Sequence, residues 1–179
     1  MIFHKSILLL LFINALPIVA QKAQTGPVIP DFGPVWEIPN ATYPTDTSKM
    51  FKAVFDVMNS PEDKTKVNPW METAARFLNM HAQNGVAPEQ MKVALVVHNK
   101  ASMDLLNDEA YTAAFGSPNP NAALLKQLME AGADILFCGQ SSIAREVPIE
   151  NTVEGVQLSL SAMTALIQLQ DQGYRLIKF

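Results

Sequence analysis

The chain is short of cysteine, of histidine and of clustered positive charge. Its 179 residues include one cysteine and three histidines. A lone cysteine cannot close an internal disulfide, so a bridge-stapled fold is excluded and the core must hold by packing. His4, His81 and His98, the first of them almost at the N-terminus, do not form a metal constellation with Cys138. No metal or organic cofactor is expected. There is no lysine or arginine run and the formal net charge is −4, so the phosphate-neutralising attraction behind nucleic-acid binding is missing. No Gly-x-Gly-x-x-Gly motif follows a strand-like run, no Walker loop is present, and a serine triad has no nucleophile elbow to rest on.

Long apolar runs are also scarce. Ile7 to Ile13 follows a polar head at His4 and Lys5 and precedes Ala15-Leu16-Pro17-Ile18-Val19-Ala20. This order reads as a signal peptide over residues 1–20, cleaved before Gln21. The run is too short to cross a bilayer, which takes about 20 apolar residues. The mature protein is therefore expected to be periplasmic or secreted, without a stable membrane span. What remains fits one domain, and a composition 49% hydrophobic and 17% charged is that of a globular chain.

Residues 21–49 form a proline-rich N-terminal arm. Pro27, Pro30, Pro34, Pro39 and Pro44 deny it a helix or a central strand. Val28, Ile29, Phe32, Val35, Trp36 and Ile38 are too apolar for a solvated tether, with Trp36 the strongest sign of docking. The arm is expected to lie on its own domain or on a neighbouring subunit.

From residue 50 to 179 strand-like and helix-like patterns alternate. Strands are predicted at Phe51–Met58, Met91–Val97, Ala133–Phe137, Val156–Leu160 and Tyr174–Phe179. Asn68-Pro69 starts a helix that Gly85 ends, another spans about Met103 to Ala114, and Asn119-Pro120 opens a third that ends at Gly132. Pro148 breaks a short helix after Cys138, and Ser161 caps the last one. Such alternation implies right-handed crossovers and an α/β three-layer domain with a mostly parallel five-stranded sheet.

Open α/β sheets place their chemistry at the carboxyl ends of the strands. Cys138 ends the third strand and His98 follows the second, so both fall on that edge. The turn Gly139-Gln140-Ser141-Ser142 would present N–H groups to the sulfur, with Arg145 about a turn or more further along. Three readings of Cys138 stand open on placement alone: a packed, inert thiol, an intermolecular link, or a reactive group. His98 can likewise be a polar residue leaving the core, and Arg145 an ordinary solvated helix residue.

Val96-Val97-His98-Asn99-Lys100-Ala101 resembles the "V-V-H-G-x-A" segment of exported members of the DsrE/DsrF-like, YchN-type sulfur-handling family. Leu124 to Leu128, Ala131 to Ile135, Phe137-Cys138-Gly139-Gln140-Ser141 and the closing Ala165 to Tyr174 resemble later blocks of that family in the same order. The resemblance implies parallel strands in a Rossmann-like fold, assembly into homotrimers or homohexamers, and a persulfide-carrying cysteine in a "C-x-x-[AS]-[AS]" stretch with arginine shortly after. Cys138, Ser141, Ser142 and Arg145 match that stretch. Asn99 stands where glycine is common, and Glu146 where many members have glycine after the arginine. The expected function is that of an exported sulfur carrier or sulfurtransferase-like protein exchanging sulfur with donor and acceptor thiol proteins. Cys138 would carry the sulfur, the turn and Arg145 would stabilise the anion, and His98 would relay protons or tune the thiol. The alternative is a noncatalytic oligomeric binding module with Cys138 packed in an interface.

Overall fold

A computed structural model describes residues 21–178, so the signal-peptide reading of residues 1–20 falls outside the described residues. Five strands, β1 (Phe51–Val57), β2 (Met91–Val97), β3 (Asp134–Cys138), β4 (Gln157–Ser159) and β5 (Arg175–Ile177), form one sheet in the order β4-β3-β2-β1-β5. Every pairing is parallel, so the expected α/β architecture holds, with no antiparallel edge. β1 and β2 pair along their whole length, from Phe51 opposite Met91 to Val57 opposite Val97. β2 is buried at every position but Lys92, as a strand covered on both faces should be.

The chain steps outward from β1 to β4, then returns across the sheet to place β5 beside β1. Right-handed crossovers put connections of opposite direction on opposite faces. Helices α1 (Pro69–Gln83), α2 (Asp108–Phe115) and α3 (Ala122–Glu130) accordingly pack with Ala53, Phe55, Val57, Val93, Leu95, Val97, Ile135 and Phe137. The other face has one main cover. Helix α5 (Ala162–Asp171) lies across all five strands and packs Ala162, Ala165 and Leu169 on Val54, Ala94 and Val96. Cys138 belongs to this second, smaller core. A short helix, α4 (Gly139–Ala144), follows β3 directly.

Three local expectations need correction. The helix foreseen over Met103–Ala114 is split into a 3-10 segment, Asn99–Leu105, and α2. Between them the backbone is engaged elsewhere: Leu105 O accepts from Val153 N at 2.8 Å and Asn107 N donates to Asn151 O at 2.8 Å. Asn119 does not cap the next helix. Its side chain is buried, with Nδ2 donating to Asp104 O and Leu106 O and Oδ1 accepting from Asn121 N, and α3 starts three residues later at Ala122, behind Asn121. Helix α4 ends at Ala144, well before Pro148, because Glu146 takes a left-handed φ of 55°.

The arm lies on its own domain. Asn79 of α1 is fully buried and meets it with both amide atoms. Its Oδ1 accepts from Val28 N and Ile29 N, and its Nδ2 donates to Ile29 O, Phe32 O and Gly33 O. Gly33 passes so close to α1 that an added Cβ would stand 2.4 Å from Arg76 N. Ile29, with no exposed surface, is the apolar anchor. Trp36 is 53% exposed and does not dock on the domain as its character suggested.

Asn79→Ala leaves buried backbone groups of the arm unpaired, at a cost on the order of 3 kcal/mol. Thermal unfolding should shift down, and limited proteolysis should cut between residues 21 and 49 first. An unchanged cleavage pattern would show that Asn79 does not hold the arm.

Candidate functional site

Alternation along parallel strands decides which side chains meet. Val54 and Val96 face α5, so Asp56 and His98, two residues further on, face it as well. Cys138 is buried in the same small core, and His98 and Cys138 each follow the registered pair Val97–Phe137 on adjacent strands. Asp56, His98 and Cys138 thus stand on one face at the carboxyl ends of β1, β2 and β3. Lys178, one residue past β5, joins them from the edge.

The starts of two helices meet at Cys138: α4 follows it directly, and Ala162, the first residue of α5, packs with it from across the site. Gly139 makes the convergence possible: a Cβ there would lie 2.7 Å from Ser159 O and 3.3 Å from Leu160 O. Burial pushes the Cys138 thiol up, but the hydrogen bonds from Ser141, Ala162 and Gln140 outweigh it, and the thiol falls below its ordinary value. Cys138 is only 5% exposed.

The remaining residues named from the sequence divide. Ser141 is central, because its Oγ also accepts Asn99 N–H at 3.0 Å. The Ser142 hydroxyl is turned away and closes the end of α4 on Val147 O at 2.7 Å. Beyond its backbone N–H, Gln140 reaches only Leu160 O, at 3.4 Å. Arg145 donates to the Asn99 side chain and carries its charge on the exposed rim of the site. His98 is engaged by Asp56, with 2.7 Å between Nε2 and Oδ1.

Three participants escaped the sequence reading. Asn99 looked like a departure from a glycine pattern, yet it adopts a left-handed φ of 55° and joins Ser141 to Arg145. Asp56 is nearly buried between His98 and Lys178, whose Nζ is 2.7 Å from Oδ2. Burial pushes its carboxyl up, but the bonds to Lys178 and His98 prevail and hold it below the usual carboxylate range. A carboxylate near the carboxyl end of an apolar parallel strand was the available signal. Lys178 gave none, since only the return of β5 to β1 brings it near.

Between α4 and the end of β4, Gly139, Gln140, Ile143, Leu158 and Leu160 help line a cleft of about 300 Å³ that Cys138 itself does not line. Among the described residues no group of three or more His, Cys, Asp or Glu side chains could hold a metal ion. No helix among them is long and apolar enough to cross a membrane.

A parallel α/β domain with a single buried thiol at the carboxyl edge of its sheet is the class these features define. The model of the DsrE/DsrF-like family matches residues 52–179, and the chain belongs to that family. A solved protein of unknown function from Methanobacterium thermoautotrophicum shares the fold, with a TM-score of 0.53 at 14% identity, covering 72% of this chain and 99% of that one. No curated protein matches.

The lowered thiol predicts a pH profile. The folded state favours the thiolate, so this contribution to stability is full above the unfolded thiol value of about 8.5 and is lost as pH falls through the folded value. Alkylation of the native protein should therefore reach half its maximal rate below the pH that a free thiol requires. Ser141→Ala removes one donor to the sulfur and should move that midpoint upward; an unmoved midpoint would rule out the hydroxyl as a stabiliser.

Proposed function

We propose that the protein is an exported sulfur carrier of the sulfurtransferase type, with Cys138 as the carrying thiol. The observation that carries this reading is the place of Cys138 at the carboxyl end of β3, where α4 starts directly after it and α5 starts against it, with the thiol held below its ordinary value. A setting that favours the Cys138 thiolate favours it both as attacking group and as leaving group in sulfur exchange. Loading would occur by attack of the Cys138 thiolate on the sulfane sulfur of a donor. The new S–S bond forms as the donor's own sulfur bond breaks, and the electron pair leaves with the donor thiolate. Unloading is the reverse exchange: an acceptor thiolate takes the outer sulfur and Cys138 departs as thiolate.

A signal peptide at residues 1–20 would place the carrier in the periplasm or outside the cell. Self-assembly into a homotrimer or homohexamer forms part of the same reading. It is supported by exposed apolar side chains on the thinly covered face, among them Met163 (72%), Ile167 (60%) and Leu176 (41%). The burial of Cys138 favours the second reading, an oligomeric binding module in which the thiol only packs.

Intact mass after exposure to polysulfide separates the two. Sulfur-atom increments on the folded wild type, reversed by a reducing thiol and absent in Cys138→Ser, are expected for the carrier. Modification that occurs only after denaturation would assign Cys138 to packing.

A further inference from the structure

The thiol is one end of a longer row. Cys138, His98 and Asp56 come from neighbouring strands and share a face, and Lys178 extends the row past β5. His98 and Asp56 meet at 2.7 Å, and so do Asp56 and Lys178. The side chains of Asp56 and His98 are 7% and 23% exposed, so their interaction is partly shielded from water, whereas Lys178 meets Asp56 from the solvent side.

We propose that Asp56, clamped by Lys178, is a positioning residue that makes His98 the base of the Cys138 site. The inference rests on the thiol reading above but not on the identity of the transferred group. A carboxylate only accepts, so neutral His98 presents its Nε2 proton to Asp56 and leaves the lone pair on Nδ1. When a thiol at the site ionises, its S–H bond breaks and Nδ1 takes the proton. The resulting thiolate keeps the electron pair, and the imidazolium charge is balanced by Asp56. His98 meets Asp56 of β1 directly; Lys178 beyond β5 reaches it through Asp56, Cys138 follows the same registered Val97–Phe137 pair as His98 on the neighbouring strand, and Arg145 at the α4 end is tied to the adjacent Asn99. Lys178 has two effects: it orders the carboxylate and draws off part of its charge.

These effects have opposite signs in a pH profile. Asp56→Asn removes the charge that favours imidazolium, so the acid limb of the alkylation rate should move to lower pH, with a maximal rate about tenfold lower as orientation is lost. Lys178→Met concentrates the carboxylate's charge on His98 and should move the limb to higher pH. Its side chain is 57% exposed, so this variant tests the idea even if Asp56→Asn misfolds. In a His98→Gln background, neither substitution should have any further effect.

Alkylation by iodoacetamide, followed against pH in the full mature chain with the single and double variants, is the test. Opposite shifts that vanish without His98 are the expected result. Shifts in the same direction, no shift, or effects that persist in His98→Gln would overturn the assignment. Sulfur loading, read separately by mass, can fail while the alkylation coupling stands; that outcome removes the carrier reading and leaves the positioning role.

Discussion

The in-register pairing of β1 with β2, and of β2 with β3, is the constraint on which the rest depends. Side chains alternate along a strand, so one registered pair decides the facing of every other. With Val57 opposite Val97 and Val97 opposite Phe137, Val54, Ala94 and Val96 must lie under α5, and Asp56 and His98 must follow them to the edge. A slip of one residue would send both polar side chains into the core beneath α1 and α3. The buried valines and the polar row are two consequences of the same register.

That edge is tightened by the convergence of α4 and α5 on the sulfur. Gly139 has no side chain to hold the two connections apart, so the start of α4 and the start of α5 close on Cys138 together. An anion there gains several oriented N–H groups whose reorganisation cost was met when the chain folded. Among the described residues the same topology leaves α5 as the main cover of its side of the sheet. One ten-residue helix cannot cover five strands, which accounts for the apolar surface left beside the site.

Much of the fold was legible because it follows from local periodicity. β2 has the bounds expected from its apolar run, and Asn68 and Ser161 cap α1 and α5 as their side chains suggested. Cys138 was legible for the same reason, since the end of a buried strand can be read without knowing its neighbours. Misreadings arose where distant backbone competes for local groups. Asn119 is occupied by the buried carbonyls of Asp104 and Leu106, and residues 105–107 are engaged by residues 151–153. Trp36 misled through its hydrophobicity, while the arm is fixed by the amide of Asn79 some fifty residues away.

The sequence by itself determined the α/β alternation, the single thiol and its place before a turn rich in N–H donors, because those depend on residues close together in the chain. Only the tertiary structure decided what surrounds that thiol. Ala162 packs with Cys138 from the start of α5, Asn99 links Ser141 to Arg145, and Lys178 reaches Asp56 across 122 positions of chain. Hydrogen bonds act over about three ångströms, and only the strand order β4-β3-β2-β1-β5 brings such distant residues within that reach.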